Sequence, residues 1–387
     1  MTADRYVDVT SKGWFSRIME SIKSVAIGLI LFVAAFPLLF WNEGRAVRRA
    51  KTLETGAKQV VTVKADAVVP SNEAKLVHLT GLATTDETLS DSEFGVATNA
   101  IKLSRKVLMY QWKQTSESKT RKKIGGGEET VTEYKYDKVW SSDVIESNDF
   151  KHPEGHANPN SMEFKSTKQT AQKVTLGAFA LSPSLVEEID KTTPLTVTES
   201  TLAKLPRNLR ERIKVVSGEY YIGRNPVDPQ VRDLRISFDY VGPTTVSVVS
   251  RQVGDTFEPF TTDTGNLELL QIGTFSADSM FKQAQQENVF MTWILRLVGF
   301  LMMMFGITMV FKPLTVMADV LPILGDILGL GIGLFAGIVA FALSLLTIAI
   351  AWVFYRPLVG IPLLIIAIGL IVVFFIIGKK KKAAAAV

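Results

Sequence analysis

The chain contains no cysteine. Disulfides, thiolate metal sites, iron–sulfur clusters and cysteine nucleophiles are thereby excluded. Histidine is nearly as scarce, with three in 387 residues. Two of them form the one local cluster of metal-type ligands, His152-Pro-Glu-Gly-His156. Pro153 and Gly155 disfavour the helix that would bring both rings to one face, so a polar loop is the favoured reading. The third, His78, lies in the apolar run Leu76–Leu79 and reads as a core or edge residue. No serine stands in a Gly-x-Ser-x-Gly elbow, and Gly125-Gly126-Gly127 lacks the Lys-Ser/Thr of a phosphate loop. Glu128/Glu129 and Glu187/Glu188 read as solvated faces. The sequence therefore predicts no catalytic residues, no metal site and no cofactor, and the protein is expected not to be an enzyme.

A basic stretch through the middle of the chain is also missing. The net charge is +5, but residues 1–24 and 289–387 together carry 11 Lys+Arg against 5 Asp+Glu, leaving the middle at −1. Nucleic-acid binding needs a patch that neutralises phosphates. Here the basic excess flanks apolar runs, which is the pattern of membrane orientation and headgroup contact. Membrane lipids are the expected partner, and nucleic acid is not.

Those runs dominate what is present. Hydrophobic residues make up 47% of the chain. Four segments are long enough to cross a hydrocarbon core of about 30 Å: 22–41, 291–311, 327–354 and 358–377. The fold class expected is a multi-pass α-helical membrane protein with four transmembrane helices. A large α+β, strand-rich extramembrane domain, residues 42–290, lies between the first and second. Residues 1–21 form a cytoplasmic amphipathic segment, 312–326 a short cytoplasmic loop and 378–387 a basic cytoplasmic tail. Trp14, Phe15, Ile18, Met19 and Ile22 share one helical face, which fits either a surface-lying helix or the start of a long first helix. Lys379–Lys382 place the tail inside, and four crossings then make the domain extracytoplasmic. Trp41, Trp293, Trp352 and Tyr355 reach the outer interface in this topology, with Arg296 and Arg356 as further anchors. Arg296, five residues into its segment, is expected to snorkel to the headgroups. Asp326 is placed to cap the third helix.

Within the domain, strands are expected at Val60–Val69, Lys75–Leu82, Val174–Leu181, Ile213–Ile222 and Leu267–Phe275. A long hairpin is expected from Leu103–Gln114 and Thr130–Trp140, with Gly125–Gly127 in its loop. A second is expected from Leu234–Tyr240 and Thr245–Gln252. Short helices follow Pro183 and Ser276. In the third apolar segment Gly325, Gly329, Gly333 and Gly337 recur every four residues, continued by Ala340 and Ser344. Small residues at this spacing let helices approach closely, either within the chain or in a homo-oligomer.

The layout and several short stretches resemble the LUMA family, the transmembrane protein 43 type. The matching stretches are Asn42-Glu43-Gly44-Arg45-Ala46, Leu76-Val-His78, Met109-Tyr-Gln-Trp112, Gly155-His156-Ala-Asn158-Pro159, Asp233-Leu-Arg235, Arg251-Gln252, Gly254-Asp255 and Phe354-Tyr-Arg-Pro-Leu358. The resemblance implies a self-associating multi-pass scaffold that organises protein complexes at the endoplasmic reticulum and inner nuclear membrane, with no catalytic residues to carry over. The absence of cysteine and of an Asn-x-Ser/Thr sequon, and the bare Lys/Ala tail, depart from the animal pattern and fit a bacterial member with a periplasmic domain. Nuclear partners such as lamins and emerin would then not transfer.

Overall fold

The computed structural model describes residues 4–362 and 365. It divides into a strand-rich unit (1–9, 55–119 and 131–281) and a helical unit (10–54, 120–130 and 282–387).

The strand-rich unit holds two principal sheets. Six strands of the eight-stranded sheet run in the order Asp4–Lys12, Glu128–Ser141, Lys102–Lys122, Leu234–Val241, Glu219–Ile222, Ile213–Val216, with Thr167–Thr170 paired to Lys102–Lys122 and Thr193–Leu195 to Leu234–Val241. The seven-stranded sheet centres on Leu76–Thr84 paired antiparallel with Thr244–Val253. One apolar cluster draws on both, with Leu103, Val107, Ile236 and Phe238 from the first and Val77, Leu79, Val246 and Val248 from the second. Alternating residues of each strand supply it, as a half-buried sheet requires.

The long hairpin is present, with Gly125 and Gly126 at φ of +91° and +81° in its loop. Ile213–Ile222 is itself a tight hairpin, turning at Ser217-Gly218 with both φ positive. The expected hairpin of Leu234–Tyr240 and Thr245–Gln252 does not form. Both strands exist, but the first pairs with Lys102–Met109 and the second with Leu76–Ala83, in different sheets. Gly242-Pro243 is the crossover, where the proline lacks a donor for a two-strand ladder. Val60–Val69 contributes only Val61–Thr62, and Val174–Leu181 folds into two short strands around Gly177.

The N-terminal segment also differs from expectation. Asp4–Lys12 is a strand at the edge of the eight-stranded sheet. The apolar face expected from Trp14 onward is present as the start of the first long helix, Trp14–Gln59.

Three helices among the described residues are long and apolar enough to cross a membrane: Trp14–Gln59, Ala277–Ala318 and Pro322–Tyr355. They exceed the expected 22–41, 291–311 and 327–354, and the second continues through Pro313. The fourth expected helix, 358–377, and the tail 378–387 lie largely outside the described residues. Ser276 accepts from Ser279 N at 3.3 Å and caps the second long helix as expected.

Candidate functional site: two buried polar clusters of the helical unit

The inward face of each long helix carries small and polar side chains, and these gather at two places. The first is built on Asn42–Arg45. Asn42 and Glu43 are fully buried. Arg296 donates from Nε and Nη2 to the two oxygens of Glu43 at 2.7 and 2.9 Å. The Trp352 indole donates to Glu43 Oε2 at 2.7 Å. One carboxylate thus joins the first long helix to the second and third. Asn42 donates to the Thr292 carbonyl at 3.1 Å, and Arg45 donates to Asn288 Oδ1 and Thr292 Oγ1 at 3.2 and 3.1 Å. Gly44 allows the third helix to close: a Cβ there would lie 2.6 Å from Cζ of Tyr355. The forked Arg–carboxylate geometry is the strong form of this pair.

Arg296 therefore does not simply snorkel. Its guanidinium turns into the bundle, within 4.7 Å of the exposed Trp293 ring and 5.8 Å of the Trp352 ring. Trp41 is about half exposed. Arg356 sits at the C-cap of the third helix, its backbone N–H bonded to Trp352 O at 2.8 Å.

The second cluster gathers where the second and third long helices meet. Asp319 is 1% exposed and accepts from Arg17 Nη2 at 2.6 Å and Lys122 Nζ at 2.7 Å. Arg17 also pairs with Glu128 at 2.9 Å and donates to the Gly126 carbonyl at 2.5 Å. Lys122 bridges on to Asp326 at 2.7 Å. The Trp14 indole donates to Val316 O at 2.9 Å, and Gly125 N–H to Val320 O at 3.0 Å. Gly126 lies against the Trp14 ring, at a positive φ that a Cβ would strain. Burial lowers the Lys122 ammonium, but its hydrogen bonds to Asp319 and Asp326 outweigh that and hold it above its ordinary value. Asp326 is not the expected N-cap: the helix starts at Pro322, and the carboxylate turns to Lys122 instead.

The glycine stripe is only partly used inside the chain. Gly325 packs on Asp319, Gly329 approaches Thr315 and Gly337 approaches Met304. Ser344 donates to Met303 Sδ at 3.4 Å. Gly333 has no described atom within 4 Å of where its Cβ would be. A close backbone approach lies elsewhere, where a Cβ added at Gly28 or Gly306 would stand 2.7 Å from the other's carbonyl oxygen, between the first and second helices.

In the strand-rich unit, His156 is buried face-on against Tyr136 at 4.0 Å, with Trp112 edge-on at 4.8 Å. Its Nδ1 donates to the His152 carbonyl at 3.0 Å. Asn158, followed by Pro159, substitutes for a strand neighbour: its amide accepts from Trp112 N at 2.7 Å and donates to Trp112 O and Ile145 O at 2.8 and 3.0 Å. Among the described residues no group of three or more His, Asp or Glu side chains is arranged to hold a metal ion. His78 Nε2 donates to Phe275 O at 2.9 Å, its Nδ1 lies 3.3 Å from Thr62 Oγ1, and burial lowers its pKa.

The family profile described as Transmembrane protein 43 matches residues 109–357. Rat Transmembrane protein 43 is 37% identical over 369 residues, covering 91% of this chain and 90% of its own length. The chain belongs to the transmembrane protein 43 family. Human Transmembrane protein 43 is 37% identical over 89% of this chain and 88% of its own length. The Transmembrane protein 43 homolog of Drosophila melanogaster is 30% identical over 87% of this chain and 90% of its own length. No solved structure matches the chain significantly. Within this transmembrane protein 43 family member, Gly44 of the stretch Asn42-Glu43-Gly44-Arg45 meets Tyr355 of the stretch Phe354–Leu358. Arg17, Lys122, Asp319 and Trp14 form the cluster that sequence reasoning missed. Its signal was unpaired opposite charge beside apolar runs, but the partners lie 302 residues apart in the Arg17–Asp319 pair.

Proposed function

We propose that the protein is a non-enzymatic integral membrane scaffold, which organises membrane protein complexes and associates with itself through its helical unit. The observation that supports this most is how the polar groups of that unit are used. Glu43, Arg296, Asp319 and Arg17 satisfy one another inside it, and the outward faces are apolar, with Ile27, Ile30, Leu330, Leu334 and Phe341 each exposed. A buried ion pair fixes which helices meet more than it adds stability. Such a unit is a rigid platform with a lipid- or helix-facing surface. The open Gly333 face is the proposed contact with a second copy. The endoplasmic reticulum and inner nuclear membrane, or the inner membrane of a bacterium, are the sites that the family resemblance implies.

A conducting pore would place its acids in an aqueous path. Asp319 and Asp326 are instead neutralised by Arg17 and Lys122. Size measurement of the detergent-purified chain, followed by crosslink capture in native membranes, tests the scaffold reading. A stable assembly larger than one chain, reduced by Gly333→Leu, is expected. A strictly monomeric chain without captured neighbours would contradict it, and ion currents from reconstituted protein would favour the pore.

A further inference from the structure

The acid of the Glu43 cluster is taken up inside the helical unit, and basic side chains beside it are left over. Arg296 forks Glu43. Arg45 donates only to neutral oxygens, those of Asn42, Asn288 and Thr292. Its Nε is buried with no hydrogen-bond partner among the described residues. Arg48 and Arg356 are exposed, and among the described residues neither side chain forms an ion pair or a hydrogen bond. The sequence offers them no second acid. Glu43 is the one Asp or Glu in residues 40–53, and residues 288–318 and 327–387 carry none apart from Asp319 and Asp326, which lie between those two ranges.

These side chains gather at one aromatic ring. Phe40, Gly44 and Arg48 follow one another at four-residue steps on the first long helix and so share a face. All three meet Tyr355. The Phe40 ring lies 5.3 Å from it, Gly44 leaves it room, and the Arg48 guanidinium stands 6.0 Å from its centroid. Phe354, 69% exposed, packs edge-on against Phe40 at 5.6 Å. Arg356 follows Tyr355 at the C-cap of the third long helix. The Tyr355 hydroxyl has no hydrogen-bond partner among the described residues. Both helices thus read in the same order: an aromatic ring first, Phe40 or Phe354, and an arginine last, Arg48 or Arg356, with Tyr355 between.

That order decides what fits. The apolar runs 22–41 and 327–354 end at this level, where headgroups meet acyl chains. A free anion would use the guanidiniums and leave the exposed rings idle. A lipid with a negative headgroup uses both. We infer that the Tyr355 face of the helical unit binds an acidic phospholipid. Arg48 and Arg356 attract its phosphate, the Tyr355 hydroxyl donates to a phosphate oxygen, and an acyl chain lies along Phe354 and Phe40. Arg45, with no acid of its own, adds to the positive potential. The site does not depend on self-association.

Native mass spectrometry of the full-length chain in detergent tests this. The protein is offered equal amounts of phosphatidylglycerol and phosphatidylcholine, and retained lipid is counted. A preference for phosphatidylglycerol is expected. Arg48→Gln should weaken it about fivefold, and Arg48→Gln with Arg356→Gln roughly 25-fold, the scale of one and two basic residues near a headgroup. Arg48→Lys with Arg356→Lys keeps both charges and should retain a clear preference. Loss in the lysine pair as well would trace the effect to the fold instead of charge, and would overturn the inference. Equal retention of the two lipids by the unaltered chain, or a preference that survives the glutamine pair, would overturn it too. So would release of the bound lipid by millimolar inorganic phosphate, the mark of a site for free anions.

Discussion

The two polar clusters of the helical unit solve the same problem with different stoichiometry. At the Glu43 cluster the acid is forked by one guanidinium and also accepts from an indole, with every partner supplied by the three long helices. At the Asp319 cluster one buried acid faces two cations, and the balance is completed by Glu128 and Asp326 at its rim. The first is closed. The second is open on one side, with Lys122 at 28% exposure and Asp326 at 65%. A closed pair has no water to fall back on when one member is lost, whereas an open one relaxes towards solvent.

Loss of one partner should therefore cost most at Glu43. Glu43→Ala is expected to lower stability by about 3–5 kcal/mol, read from denaturant unfolding in detergent, because Arg296 is left charged and buried. Asp319→Asn should cost roughly 2 kcal/mol, the scale of charged hydrogen bonds, since Glu128 and water remain for Arg17 and Lys122. Equal losses at the two sites would remove the distinction between closed and open. Gly44→Leu comes next: the added side chain must displace the Tyr355 ring, an overpacking cost of about 1–3 kcal/mol. Gly333→Leu should change monomer stability by less than about 0.5 kcal/mol, because it meets open space. Any effect it has should appear in detergent-phase size alone.

His78, in the other unit, separates acid sensitivity from both clusters. Burial lowers its folded pKa below that of the unfolded chain, so its contribution to stability is present above an unfolded pKa of about 6.5 and is lost as the pH falls through the folded value. His78→Gln should flatten that acid slope of the strand-rich unit and leave the effects of Glu43→Ala and Asp319→Asn unchanged.

The sequence showed periodicity and local turn chemistry well. The glycines of the long hairpin, the Ser276 cap and the strand around His78 were legible because each depends on neighbours in the chain. What it could not show was pairing at a distance. The residues around Pro243 look like a hairpin turn locally, and only the competing partners Met109 and Leu79 send the two strands to different sheets. Tyr6, Val7 and Val9 are good strand residues, but the apolar face beginning at Trp14 dominates the reading of the N-terminus. Arg296 alone suggests an interfacial side chain; the acid that captures it lies 253 residues away. The glycine stripe was visible as spacing, but the tight approach at Gly28 and Gly306 involves one glycine from each helix and has no local pattern.

The claim that Glu43 and Arg296 act as one closed pair joining the long helices is tested most directly by a double-mutant cycle. Glu43→Leu, Arg296→Leu and the double substitution would be unfolded in the same detergent. The expected result is that the double variant is more stable than either single one, because no buried charge is left alone. Single losses that simply add in the double variant would contradict the pair and, with it, the reading of Asn42–Arg45 as the segment that locks the helices together.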